Sequence, residues 1–435
     1  MHPLLSPVYE GVARAATLLT LLPLPGESKL VRSLRDRHEA RANLVAWGTA
    51  HRDPTRPLLW VHAPSVGEGL MADPVLRALR AAHPSWQLLY TYFSPSAARF
   101  ASHLPVDLAG PLPFDSTRAA EALLDALRPT ALVVSKLDLW PRLTERAHTR
   151  GVRLGMISAT LSEGSGRSGT LASALLGDAY AALDAVGAID PADADRLVAL
   201  GVHRDRITVT GDTRYDQCAI RTAATDRTSA LLAPLVSDRP TVVAGSTWPS
   251  DETVLVAAWR EVRATVPVAR LIIAPHEPSD GHLAPLERWT AEAGLRCARL
   301  ANASADDDVV LVDRVGVLHE LYALADAAYV GGGFHAAGLH SVIEPASFGV
   351  PVVFGPQHRR SRDASLLLAA RGAEAVTDAE SLAHALRILL TEPDTRERAG
   401  AAALGVVNEG LGAAKASVAL VEGLIDPTSA TVLTD

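Results

Sequence analysis

Short apolar runs alternate with amphipathic stretches along almost the whole chain. PLLWVHAP, QLLYTYF, TALVVS, VRLGMIS, AVGAID and RITVTGD read as strands, each mostly apolar and bounded by turn residues. Between them VGEGLMADPVLRALRAAHP, SAARFASHL, STRAAEALLDALRP, WPRLTERAHTRG and PADADRLVALG carry apolar residues at helical spacing. Strands with no polar face need cover on both sides, which predicts a parallel sheet layered by helices. A second series begins after Asp216 with TVVAGS and DETVLVAAWREVRATVP. It runs through ARLIIAPH, PLERWTAEAGL, DVVLVDR, VGVLHELYALAD and AAYVGG to ESLAHALRILLTEP. The expected architecture is α/β, with two Rossmann-like doubly wound domains, 1–216 and 217–435, facing across a cleft at the C-terminal edges of their sheets. The alanine-rich helical stretch from Asp394 is expected to pack back across the linker before fraying in DPTSATVLTD.

A chain of 435 residues exceeds one ordinary core, in keeping with two domains. With 48% hydrophobic and 21% charged residues it reads as globular rather than disordered. Residues 1–216 carry 23 Lys and Arg against 22 Asp and Glu, and the remainder 18 against 27. That balance offers no basic face, so no nucleic-acid partner is expected. Two cysteines, Cys218 and Cys297, make no disulfide framework and suit a reducing cytoplasm. The apolar run from Gly11 to Pro25 is shorter than the ~20 residues that cross a bilayer, and it lacks the marks of a secretory signal. With the basic SKLVRSLRDRHEARAN behind it, it is expected to lie on an anionic membrane surface; a helix buried on the first domain is the other reading.

The most informative stretch is VGGGFHAAGLHSVIEPASFGVPVVFGP, Val330 to Pro356. A strand, a turn of Gly331, Gly332 and Gly333, a loop glycine at Gly338, and a short helix opening near Ser341 together prepare backbone N–H groups for a phosphate. Glu344, just ahead of Pro345, is placed to accept hydrogen bonds from two ribose hydroxyls. These features predict a nucleotide-sugar site. The same residues fit the dinucleotide pattern G-x-G-x-x-A, but no acid closes the next strand. A purely structural glycine turn also fits.

Other strands end in polar clusters. HAPSVGEG holds Ser65, Gly67 and Glu68 in a turn at a helix start, where the carboxylate is a candidate general base or a simple complement to the helix dipole. YFSPSAAR offers Ser94 and Ser96 as caps or anion ligands. SKLDLWP alternates Lys136, Asp138 and Trp140, which make either catalytic charges or a structural ion pair. AGSTWPSDE supplies Ser246 and Thr247 with a capping pattern behind them, IIAPHEPS supplies His276 and Glu277, and GDTRYD brings Arg214 to the domain junction. Asp193 and Asp195 open a helix, and His335 and His340 share no helix face, so no metal is expected.

Taken in order, HAPSVGEG, YFSPS, K-x-D-x-W, GDTRYD, AGSTWPSDE, APHEP and GGGFHAAGLHSVIEP resemble the 3-deoxy-D-manno-octulosonic acid (Kdo) transferases of lipid A assembly. The resemblance implies a GT-B glycosyltransferase, inverting and independent of metal or cofactor. It would move Kdo from CMP-Kdo to a lipid A precursor of the lipid IVA type, as a peripheral protein on the cytoplasmic face of the inner membrane. It implies that Glu68 is the base, with Lys136 and Asp138 beside it, Lys136 meeting the donor's carboxylate or phosphate. Substrate contacts would come from Ser65, Gly67, Ser94, Ser96 and Arg214, and donor contacts from Ser246, Thr247, Glu277, Gly332, Gly333, Gly338, His340 and Ser341. His276 would hold the cytidine or phosphate, and Glu344 the ribose. Three positions depart from the pattern: Lys136 stands where many members have glutamate, Ser341 where asparagine is usual, and Pro275-His276-Glu277 where P-R-H is typical. Another nonulosonic acid as donor, a nucleotide-sugar epimerase of the same fold, and a non-catalytic membrane-associated sugar-binding protein stay open as alternatives.

Overall fold

The structure, a computed structural model, describes residues 1–22, 26, 28–161 and 166–426. Residues 23–25 of the N-terminal apolar run, and 427–435 where fraying was expected, lie outside the described residues. The chain forms two compact units, one of Met1–Gln217 with the stretch from Leu411, the other of Cys218–Gly410.

In the first unit α1 (Ser6–Leu19), α2 (Lys29–His38) and α3 (Ala40–His51) precede the sheet. Next come β1 (Leu58–His62), α4 (Val66–Ala82), β2 (Gln87–Tyr92), α5 (Ala98–Ala101) and β3 (Leu108–Pro111). After α6 (Thr117–Leu127) follow β4 (Ala131–Ser135), α7 (Pro141–Thr149), β5 (Arg153–Ala159), α8 (Thr170–Ala181), β6 (Ala185–Ala188), α9 (Pro191–Ala199) and β7 (Ile207–Val209), and α10 (Thr213–Ala223) spans the boundary at Gln217. The strands pair in parallel in the order β3-β2-β1-β4-β5-β6-β7. The period of two in β1 sends Leu58 and Trp60 into the core on one face and Leu59 and Val61 into the core on the other. Each such side chain contributes roughly 1.5–3 kcal/mol by its burial. The winding direction reverses at β1 and β4, and at such a switch point the loops leaving the two strands part and open a crevice.

The second unit repeats the plan with β8 (Thr241–Thr247), α11 (Pro249–Thr265), β9 (Arg270–Pro275), α12 (Asp280–Glu292), β10 (Cys297–Arg299) and β11 (Val309–Leu311). It continues with α13 (Leu318–Leu321), β12 (Ala327–Val330), α14 (Ile343–Ala346), β13 (Val352–Phe354), α15 (Arg362–Ala369), β14 (Ala373–Ala375), α16 (Ala379–Thr391) and α17 (Pro393–Glu409). Its parallel order is β10-β11-β9-β8-β12-β13-β14, so the switch point falls at β8 and β12. The two Rossmann-like sheets make this the α/β, GT-B type of architecture expected from the sequence.

The course of the chain's end differs from the expected 217–435 grouping. Helix α18 (Ala413–Ile425) packs on α4 and β5 of the first unit, where Val421 and Leu424 join the core. Asp216 secures the return by accepting from Gly412 N and Ala414 N at 2.9 and 3.0 Å. At the other end α1 docks by its polar side. Tyr9 donates to Asp115 at 2.8 Å, Glu10 accepts from Thr117 N and Oγ1 at 3.0 and 2.8 Å, and Arg142 donates to the Ser6 carbonyl at 2.9 Å. Burial raises the Asp115 carboxyl to about 6 against the pull of the Arg142 and Leu143 N–H groups and Tyr9. Val8, Val12 and Leu18 of α1 remain 63%, 65% and 63% exposed, an apolar face turned to solvent.

Candidate functional site

Both switch points gather the polar residues singled out in the sequence. In the first unit the turn after β1 becomes the first turn of α4, and the turn after β4 lies beside it. Glu68 sits in that first helical turn. Its Oε2 accepts from Ser65 Oγ, its Oε1 lies 3.4 Å from Lys136 Nζ, and Ser135 Oγ donates to its carbonyl at 2.9 Å. Lys136 reaches it from a left-handed backbone conformation, φ 67°, which costs a non-glycine residue energy and marks a position held by its surroundings. The lysine thus pairs with Glu68, and the ion pair with Asp138 considered from the sequence does not form.

Asp138 instead accepts from Trp140 Nε1 at 3.1 Å and lies 3.0 Å from His62 Nε2. His62, only 1% exposed, has its Nδ1 3.0 Å from Thr91 Oγ1, which also accepts from Trp60 Nε1 at 2.8 Å. A carboxylate accepts only, so His62 carries its hydrogen on Nε2 toward Asp138 and takes the Thr91 hydroxyl on Nδ1. Burial opposes the Asp138 charge, but the His62 and Trp140 hydrogen bonds and Arg167 outweigh it and leave the carboxyl below its ordinary value. This arrangement fixes the Asp138 carboxylate on His62 and Trp140, in the turn that carries Lys136.

The serine turn after β2 lies against the Glu68 turn. Ser94 N donates to the Pro64 carbonyl at 2.7 Å, and Ser94 Oγ and Ser96 Oγ are 2.8 Å apart, neither capping a helix. Gly67 leaves open space, whereas a Cβ on Gly69 would strike Phe100 and Tyr90, so Gly69 is the glycine the turn needs. Arg37, 3% exposed, stacks 3.6 Å over the Phe93 ring and donates to the Phe93 carbonyl; burial pushes its pKa down to about 10. Arg214 is held in a fork by Asp212, with Nε 2.9 Å from Oδ2.

In the second unit the organising group is Asp251, absent from the residues named above and fully buried. Its Oδ2 accepts from Trp248 N and Gly332 N at 2.9 and 2.8 Å, and its Oδ1 from Phe334 N and Tyr329 OH, both at 3.0 Å. Gly331 N donates to the Gly245 carbonyl at 2.9 Å. The N–H groups of Gly331 and Gly332 are therefore spent inside the protein, which corrects the expectation that they cradle a phosphate. Gly332, at φ 91°, is glycine because a Cβ would run into the Gly338 carbonyl. Two further corrections concern neighbouring positions. The helix expected from Ser341 is the single turn Ile343–Ala346, too short for an appreciable dipole. Thr247 is buried, its hydroxyl donating to Glu252 at 2.8 Å, so it braces α11; Ser246, at φ 54°, is the partly exposed hydroxyl of the pair.

What does line the accessible rim is aromatic. His335 stacks on Trp248 with ring centres 4.1 Å apart, His276 lies 4.6 Å from both Trp248 and His340, and Trp248 Nε1 donates to His340 Nε2 at 3.0 Å. Burial and the nearby His276 lower the His340 pKa from its ordinary 6.5, so the ring is neutral with its hydrogen on Nδ1. Gly338, Ser341 and Glu344 are partly exposed beside it, and Glu277 is exposed next to His276. The loop after β13 joins this rim through Gln357 N, which donates to the Gly333 carbonyl at 2.9 Å, and carries the exposed Arg359 and Arg360. Imidazole N–H groups and guanidinium cations on one rim suit an anionic ligand.

His62, Gly69, Asp251 and Trp248 were not picked out from sequence. Two of them left a signal: a histidine closing the otherwise apolar LLWVH, and an acid in the first turn of a helix that follows a glycine-ended strand.

A family model for 3-deoxy-D-manno-octulosonic-acid transferase (kdotransferase) matches residues 34–217. The 3-deoxy-D-manno-octulosonic acid transferase of Haemophilus influenzae is 26% identical over 396 residues, covering 88% of this chain and 90% of that one. That of Chlamydophila psittaci is 29% identical over 352 residues, covering 79% of each. Among solved structures, UDP-GlcNAc 2-epimerase from Neisseria meningitidis, bound to UDP-GlcNAc, superposes with a TM-score of 0.62 at 15% identity, covering 84% of this chain and 99% of that one. The last likeness is one of fold. The resemblance to the Kdo transferases read from the ordered motifs is borne out across most of the chain, and the enzyme class it carries, glycosyltransferase, is that of these relatives.

Proposed function

We propose, from its kinship with the Kdo transferases, that this chain transfers Kdo from CMP-Kdo to a hydroxyl of a lipid A precursor of the lipid IVA type, with inversion and without a metal. The observation that carries the reading is Glu68, a carboxylate in the first turn of α4, held by Ser65 and Lys136 at the first sheet's switch point. A sugar hydroxyl becomes a competent nucleophile only as its proton leaves, and Glu68 would take that proton as the new glycosidic bond forms. The bond from the anomeric carbon to the phosphate of CMP breaks in the same step, and the sugar acquires cationic character. Negative charge returns to the departing phosphate, where the His276, His335 and His340 rim and the Arg359 and Arg360 cations are suited to receive it. Arginines after β13 would serve where the P-R-H arginine is absent. The vicinal hydroxyls of a ribose suit the two oxygens of Glu344. Lys136, tied to Glu68, would exchange that partner for the donor's own carboxylate or phosphate and so release the base when the donor is bound.

The acceptor is a lipid, and α1 supports contact with a membrane surface at the cytoplasmic face. Its polar side is committed to the protein while Val8, Val12 and Leu18 face outward. The deciding experiment supplies CMP-Kdo with and without the tetraacylated disaccharide precursor and weighs the products. Donor consumption that requires the lipid, with the mass of one or more Kdo residues added to it, is the expected result. Consumption without acceptor would favour epimerase chemistry. Glu68→Gln should lower transfer by roughly 10²–10⁴-fold while CMP binding persists, and a fully active variant would remove Glu68 from the role.

A further inference from the structure

His319 is 1% exposed on α13 and takes no part in the steps above. Its Nε2 lies 3.3 Å from Thr222 Oγ1, which is 2.7 Å from Ser347 Oγ, which donates to the Glu344 carbonyl at 2.7 Å. The Ser347 and Thr222 hydroxyls each have one hydrogen to give: Ser347 can donate to Thr222 or to the Glu344 carbonyl, and Thr222 can donate to Nε2 or accept from it. The other ring nitrogen, Nδ1, has no hydrogen-bond partner among the described residues and stands 3.8 Å from Glu344 Oε2. With the ring's one hydrogen on Nδ1 and the Thr222 hydroxyl donating to Nε2, the ring presents that hydrogen to the carboxylate. Of the charged groups on the packed helices, Arg221 and Glu320 pair with each other at 3.3 Å, while Arg214 pairs with Asp212 and Asp216 accepts from Gly412 N and Ala414 N. Phe348 packs against the ring with its centre 5.0 Å away.

We propose that His319 is a positioning residue that holds Glu344 as an oriented anion for the 2′ and 3′ hydroxyls of a ribonucleotide, giving this rim a preference for ribose over deoxyribose. The inference rests on the reading of the second unit as the nucleotide-binding half. A carboxylate backed by the imidazole at 3.8 Å keeps outward lone pairs for a diol and gives up less freedom when the diol binds.

The test is calorimetric titration of the full chain with CMP and with 2′,3′-dideoxy-CMP, in the wild type, His319→Asn and His319→Gln. An asparagine amide falls near Nδ1 and keeps a donor toward Glu344; a glutamine amide reaches Thr222 instead. The wild type is expected to favour CMP by roughly tenfold or more. His319→Gln should erase that preference through weaker CMP binding alone, and His319→Asn should keep most of it. Equal changes for both ligands in both variants, or no change, would overturn the proposal and leave His319 a core residue. A wild type that binds the two ligands alike would also overturn it while the nucleotide reading stands; a wild type that binds neither would defeat that reading itself. If neither variant folds, Thr222→Val removes the hydroxyl that faces Nε2 and should reduce the preference, and an unchanged preference there overturns the proposal.

Discussion

Replacing Asp251 with asparagine isolates what holds the glycine bend in place. Both carboxylate oxygens accept two hydrogen bonds, and each faces at least one backbone N–H: Trp248 and Gly332 on Oδ2, Phe334 on Oδ1. An amide therefore sets its NH₂ against a backbone donor whichever way it turns. The less costly orientation puts nitrogen at Oδ1, where the Tyr329 hydroxyl can rotate to accept but Phe334 N–H cannot. One hydrogen bond to a charged group is lost, roughly 1.5–3 kcal/mol, and the others drop to neutral strength, so the total is about 3 kcal/mol. Asp251→Ala, which strands all four donors, should cost roughly 4–6 kcal/mol. For a unit of this size each kcal/mol is worth roughly 2–4 °C, so the asparagine variant should melt roughly 10 °C lower. Urea unfolding gives the free energy, and titration with CMP reports on the rim, because Trp248 and His335 hang on the same backbone. An asparagine variant within about 1 kcal/mol of wild type and binding CMP normally would refute the claim that this carboxylate builds the bend.

Lys136→Met removes a pair whose lysine is 39% exposed, so stability should change by less than ~1 kcal/mol, while transfer falls roughly tenfold; equal turnover in the two proteins would sever Lys136 from the chemistry. His340 has a folded pKa below 6.5, so as pH drops through 6.5 the unfolded chain takes a proton that the folded ring refuses. Stability is thus fully present above that value and declines below it. His340→Gln should flatten the decline when melting is compared at about pH 7.5 and about pH 5.5, and an unaltered slope would contradict the assignment. The double variant Val12→Glu with Leu18→Glu should melt like wild type, since both residues are exposed, yet bind anionic phospholipid vesicles at least about tenfold more weakly. Unchanged vesicle binding would take α1 out of the membrane contact.

The sequence alone determined the two parallel sheets, because strands such as LLWVH and TVVAGST are apolar on both faces and only a doubly covered sheet satisfies them. It also placed the polar clusters at the right strand ends, since turn chemistry is local. What it left undecided was which partner each polar group takes. Lys136 could face Asp138 or Glu68, and the strand register and a left-handed backbone at 136 gave it Glu68. The glycine run read as an anion cradle because its own composition is that of one. Asp251, 81 residues away from Gly332 in the chain, claims its N–H groups only once β8 and β12 pair. His319 is the plainest case, an ordinary residue in VGVLHELYALAD until α10, α13 and α14 close around it and decide what its two ring nitrogens face. Periodicity is set by neighbours in sequence. Hydrogen-bond partners across a core are set by packing, and no local pattern encodes them.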